Sequence, residues 1–188
     1  MQATALEGGF AEAPIEAARA FRAAMTALAR PGRIETLSGA RPPAPLSVAA
    51  GTLILTLCDP DTGLFLAPSH DRDGVRDWIA FHTGAPLVGR ADAVFALGTW
   101  DALLPLSDYR PGTAEYPDRS ATLIVEVDRL EAAGATLTGP GIDGAARLGL
   151  PEAAAFAANA RLFPLGLDFF FTAGDRVAAL PRTTKVTA

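Results

Sequence analysis

The sequence predicts an α/β fold, a mixed β-sheet flanked by helices. Three observations predict it. Helix-like and strand-like stretches alternate along the chain. The strand-like stretches are short and apolar: Ala121–Val127 alternates, and Leu167–Thr172 carries three phenylalanines. The length, 188 residues, suits a single domain over 1–188, large enough to bury roughly 70% of the surface its unfolded chain exposes.

Residues 1–12 read as a loose lead-in. Pro14 suits a first helical turn, and Ile15, Ala18, Phe21, Met25 and Leu28 recur at spacings of three and four, as the apolar stripe of a helix does. Arg19, Arg22 and Arg30 fall on another face, a solvated face or a contact for an acidic partner. Arg30-Pro31-Gly32 ends that helix, and Arg33–Leu37 can form a short strand. Residues 39–46, rich in Pro and Gly, connect it to Ser47, which can cap Val48–Cys58. The Leu/Ile/Thr run inside that segment fits a buried helix or a strand, and periodicity does not choose.

Asp59–Gly63 is a turn and Leu64–Ala67 a short strand. Asp71 or Asp73 caps a helix through Val75, Trp78, Ile79 and His82 that Gly84 closes. Ala93–Leu97 reads as a buried strand and Trp100–Leu104 as a helical turn. Ser107–Pro117 is a polar loop before the Ala121–Val127 strand. Thr136-Leu137 runs into the turn Gly139-Pro140-Gly141, and Pro151 opens an alanine-rich helix to Arg161. Leu167–Thr172 and Val177–Leu180 form a hairpin about Ala173-Gly174-Asp175. Residues 183–188 are a polar tail.

Composition excludes several function classes. A net charge of −5 and a pI near 5.0 argue against a nucleic-acid binder. The N-terminus lacks the basic and apolar regions of a signal peptide. No apolar run approaches the ~18 residues of a membrane span, so a cytoplasmic protein without membrane partners is expected. Cys58 is the single cysteine, which excludes an internal disulfide and a cysteine-based zinc site. His70 and His82 lack ligand-like spacing with it, and no metal site is expected. A mean hydropathy of +0.23 is high for a small soluble chain and fits a face buried against a partner. Lys185 is the lone lysine, and its place in the polar tail is poor for the desolvated amine of a Schiff base.

Neither standard nucleotide loop is present, nor a nucleophile elbow. The densest polar cluster is Gly112–Ser120. Within it Glu115 and Asp118 can act as acid or base, Arg119 can clamp a phosphate or phosphonate, and Tyr116 can stack or donate a hydrogen bond. The structural alternative pairs Arg119 with Glu115 or Asp118. Arg182, just past Pro181, is a candidate for ligand contact or for a structural hydrogen-bonded role. Thr138–Ile142 is a glycine turn whose amides can face an anion, and His82 suits a helix C-terminus.

These segments together resemble a known family. Arg30-Pro31-Gly32, Phe81-His82-Thr83-Gly84, Gly112-Thr113-Ala114-Glu115-Tyr116-Pro117-Asp118-Arg119-Ser120, Leu137-Thr138-Gly139-Pro140-Gly141-Ile142, Phe163-Pro164-Leu165-Gly166 and Leu180-Pro181-Arg182-Thr183-Thr184 occur in the order of the PhnH family. That family is the H subunit of the bacterial carbon–phosphorus lyase system, and the resemblance spans roughly residues 13–186.

The resemblance implies an accessory subunit whose partners are the other carbon–phosphorus lyase core subunits, of three further types. With them it serves the conversion of ATP and an alkylphosphonate to ribose 1-alkylphosphonate 5-triphosphate, which releases adenine. It implies a homodimer in isolation and a fold like the large domain of pyridoxal-phosphate-dependent transferases, without that cofactor or any other. It brings no catalytic residue set to carry over. A transferase acting alone on phosphonate or nucleotide through residues 112–120 is the alternative.

Overall fold

A computed structural model describes residues 7–188. Helix α1 (Ala13–Ala29) leads to the short strand β1 (Glu35–Thr36), helix α2 (Val48–Leu57), strand β2 (Leu64–Leu66) and helix α3 (Asp73–Thr83). Strand β3 (Phe95–Thr99) runs directly into the single turn α4 (Trp100–Leu103), and β4 (Thr122–Glu126) follows a long loop. Then come β5 (Ala135–Thr138), β6 (Ala146–Leu148), helix α5 (Ala153–Ala160), β7 (Asp168–Ala173), β8 (Arg176–Leu180) and β9 (Lys185–Thr187).

The main sheet has the order β1-β8-β7-β4-β3-β2. Strands β2, β3, β4 and β7 are parallel, while the β7–β8 hairpin and β1 add antiparallel pairs. The expected mixed sheet with flanking helices is therefore present. A second sheet, β6-β5-β9, is antiparallel.

Alternation along the strands divides the core into two layers. Ile124, Phe170 and Leu97 point to the face covered by α1, α2 and α3, where Leu53, Ile54, Trp78 and Ile79 fill the space. Leu123, Val125, Phe169 and Phe171 point the other way, onto Trp100, Leu103 and Phe156 and onto Leu137, Leu148 and Val186 of the small sheet. Phe156 meets Phe169 edge-on at 4.9 Å between ring centroids, and Trp100 lies 4.7 Å from Phe156. Such aromatic pairs add roughly 0.5–1.5 kcal/mol each beyond area burial.

Several expectations change. Val48–Leu57 is a helix: the Ser47 hydroxyl accepts the Ala50 N–H at 3.1 Å, and six consecutive residues from Ala49 to Ile54 are buried. Being apolar all round, it carries no amphipathic period to read. Residue 72, an arginine, holds the cap position of α3, and neither Asp71 nor Asp73 caps it. The described part of the lead-in is not loose, because the Glu7 carbonyl accepts the Trp78 Nε1–H at 3.0 Å and the Gly8 carbonyl accepts the Arg41 N–H at 2.8 Å. The polar tail is partly strand: Val186 is buried, and β9 pairs with β5.

Helix α1 is the largest departure. Its buried residues are Ala20, Ala24 and Ala27, while Ile15, Phe21 and Met25 are about half exposed (49%, 50% and 48%). The small side chains let α1 approach α2 and β8 closely, so Ile15, Phe21 and Met25 face outward, while Leu28 of the same stripe packs partly against the core.

Candidate functional site

The polar loop Gly112–Ser120 enters β4 at Thr122, the amino-terminal end of that strand. Gly112 sits at φ +85°, and a Cβ there would stand 2.7 Å from the Pro117 carbonyl oxygen, so only glycine closes this loop without strain. The Thr113 hydroxyl accepts the Tyr116 N–H at 3.0 Å, and the Thr113 N–H returns to the Tyr116 carbonyl at 3.2 Å. A short 3₁₀ turn, Pro117–Arg119, follows.

Glu115, Tyr116, Asp118 and Arg119 all lie on the exposed side of this loop. The Arg119 guanidinium stacks over the Tyr116 ring, 4.0 Å from its centroid. The expected pairing of Arg119 with Glu115 or Asp118 is not what the structure holds, since no ion pair joins it to either. Stacking leaves the guanidinium edge free to donate to an oxyanion.

Arg182 reaches the same loop from the end of β8, but its donors are already engaged. Its Nη2 lies 2.5 Å from Asp168 Oδ2, its Nε donates to Oδ1 at 3.2 Å, and its Nη1 donates to the Pro117 carbonyl. Both side chains are mostly buried, at 13% and 20% exposure. Arg182 thus clamps the loop to the start of β7. Arg19, Arg22 and Arg30 are far from this cluster in the chain and are exposed on or at the end of α1.

A second polar cluster occupies the opposite edge of the sheet, where β3 and β4 end. The edges are separated by the length of β4, about 13 Å for four residue steps. At this edge Glu126 Oε1 accepts the Ser47 N–H at 2.8 Å, and Oε2 accepts the Thr172 hydroxyl at 3.0 Å. His70 Nε2 stands 3.9 Å from Glu126 Oε1, and His70 Nδ1 lies 2.9 Å from the Ser69 hydroxyl. Ser69 in turn accepts the Thr99 N–H at 3.1 Å.

Burial raises the Glu126 carboxyl above its usual range despite these donors. Burial first, and the Arg72 charge second, lower the His70 imidazole below its ordinary value. The nearby Glu126 carboxylate would favour imidazolium, but 3.9 Å is too long for a hydrogen bond, and loss of hydration dominates.

A cleft of about 520 Å³ opens beside Glu126, lined also by Thr99, Trp100, Asp101, Asp128, Arg129 and Glu131. Carboxylates outnumber cations there by four to one, a surrounding that repels phosphate oxygens. Among the described residues no three His, Cys, Asp or Glu side chains converge as metal ligands. Sequence reading missed His70 and Glu126 because 56 residues separate them, and only the parallel pairing of β2, β3 and β4 brings them together.

The segment Thr138–Ile142 packs against the end of α1: Gly141, at φ +79°, comes so close that a Cβ would overlap the Ala29 carbonyl. His82 lies in the last turn of α3, with Nε2 3.2 Å from the Glu7 carbonyl. No described helix is long and apolar enough to cross a membrane.

Comparison with known proteins gives a consistent result. A family model described as "Bacterial phosphonate metabolism protein (PhnH)" matches residues 8–187. The chain is 44% identical, over 98% of its length and 97% of the relative's, to the Rhizobium meliloti protein named alpha-D-ribose 1-methylphosphonate 5-triphosphate synthase subunit PhnH. It is 33% identical, over 96% of its length and 95% of the relative's, to a Stutzerimonas stutzeri protein named putative C-P lyase subunit protein HtxG.

Proposed function

Since the chain belongs to the PhnH family of bacterial phosphonate metabolism proteins, we propose that it is an accessory subunit of a carbon–phosphorus lyase complex. In this role it serves, with partner subunits, the conversion of ATP and an alkylphosphonate to ribose 1-alkylphosphonate 5-triphosphate. The observation that carries this reading is the end-to-end similarity to a relative named as a subunit of that synthase.

The arrangement of polar groups supports a subunit and not a self-sufficient enzyme. Glu115, Tyr116, Asp118 and Arg119 stand on an open surface, where water competes with every contact they make. An oxyanion gains most from an arginine once water is excluded. In this reading a neighbouring subunit closes over the loop, Arg119 supplies the free guanidinium for phosphonate or triphosphate oxygens, and Arg182 holds the loop in place. Glu126 and its acidic cleft do not take phosphate.

The fold is read as a variant of the large domain of pyridoxal-phosphate-dependent transferases, supported by the four adjacent parallel strands, β7-β4-β3-β2, with an antiparallel hairpin at β7–β8. The reading includes no such cofactor; Lys185, the lone lysine, is exposed on β9. A homodimer in isolation and a cytoplasmic location complete the proposal.

The test is coexpression with the other core subunits. The chain is expected to copurify with them in fixed ratio through size exclusion. Elution of the chain apart from an otherwise assembled complex would overturn the reading.

A further inference from the structure

Helix α1 buries its small residues and exposes its large ones. Ala20, Ala24 and Ala27 face the core, while Phe21, Met25 and Ile15 are each about half exposed on the outer side. Isolated exposed apolar residues are ordinary, but Ile15, Phe21 and Met25 form one contiguous ridge along a single helix, with exposed Ala18 among them. Arg19 and Arg22 project from the same outer side, and neither has a carboxylate partner among the described residues.

On a chain of net charge −5, this places unpaired positive charge against exposed apolar surface. Such a face matches a helix that offers an apolar ridge flanked by carboxylates. A second copy of this chain fits poorly. A twofold axis through the middle of α1 would set Arg22 against its own counterpart, and like charges across an interface are repulsive.

We propose that the outer face of α1 docks an acidic amphipathic helix of a different subunit, with Phe21 and Met25 as the buried anchors and Arg19 and Arg22 as the charged flank. This rests on the subunit reading above and assigns it a surface. The homodimer of the isolated chain then uses another face.

The test compares the full chain with Phe21→Glu, Met25→Glu and the double variant Arg19→Glu/Arg22→Glu, each coexpressed with the other core subunits. These side chains are solvent-facing, so the melting temperature of each purified variant should stay within about 2 °C of the parent. Recovery of partner subunits should fall at least about tenfold for the two apolar replacements. The double arginine variant should bind more weakly, with a flatter dependence on salt.

Partner recovery equal to the parent's in folded variants overturns the α1 surface and leaves the subunit reading standing. Failure of the parent chain itself to copurify overturns the subunit reading and this inference with it. Conversion of an isolated dimer to a monomer by Phe21→Glu, read by light scattering, overturns the choice of occupant in favour of a second copy.

Discussion

Arg182 grips Asp168 twice over. The carboxylate accepts the Arg182 side chain at 2.5 and 3.2 Å and also its backbone N–H, to Oδ1, at 2.8 Å. Because the same guanidinium holds the Pro117 carbonyl, this pair ties the loop at the start of β4 to the adjacent start of β7.

Breaking the pair from either side should loosen the loop. Asp168→Asn or Arg182→Ala leaves a mostly buried partner unmatched, at a cost of about 3 kcal/mol. Denaturant titration should show that loss, and amide exchange should speed up over residues 112–120. Unchanged exchange in both variants would mean that Gly112 and Thr113 hold the loop unaided.

Arg119→Ala should behave differently. Its guanidinium is exposed and stacks on an exposed ring, so stability should change by no more than about 0.5 kcal/mol. Product formation by the assembled complex should fall. A large drop in melting temperature would make Arg119 a structural residue.

Much of the fold was legible in the sequence because local chemistry and tertiary packing agree there. Ala121–Val127 and Leu167–Thr172 alternate or run apolar where both faces of a sheet are covered, and Gly84 closes α3 in the left-handed conformation at φ +67°. The rest turned on tertiary packing. The period of the bulky residues marks α1 as a helix, yet close packing selects Ala20, Ala24 and Ala27 for its buried face. Strand β6, Ala146–Leu148, and strand β9 are too short to signal themselves and exist through pairing with β5. The loop Gly112–Ser120 stands out in the sequence as a polar cluster, but its placement at the amino-terminal end of the parallel strands does not. The cluster of His70 and Glu126 has no local signature at all.

The two groups of that cluster predict opposite pH slopes. Glu126 has a raised carboxyl pKa in the folded state, so the folded state binds its proton more tightly. The stability linked to that proton is present below the ordinary glutamate range and is lost as pH rises through the folded value. His70 has a lowered value, so its contribution is complete above the ordinary histidine range and is lost as pH falls through the folded value. Unfolding free energies measured from pH 4 to 8 should show the first slope vanish in Glu126→Gln and the second in His70→Gln. Slopes identical to the parent's in both variants would contradict the burial assigned to these groups.

Cys58 offers a chemical readout of the α2 end. Burial, with Asp59 adding to it, pushes its thiol up to about 12. The folded protein should therefore resist alkylation at pH 8, while denatured protein reacts at once. Above about pH 9 the unfolded thiol ionises and the folded one does not, so stability should decline with rising pH in a Cys58-dependent way. Rapid labelling of native protein would place Cys58 at the surface.

Adenine release from ATP in the presence of methylphosphonate measures most directly whether this chain acts through its partners. Purified chain alone should release none, the remaining subunits without it should release none, and adding it back should restore the reaction. Adenine release by the chain alone, or full activity of the complex without it, would contradict an accessory role for the chain.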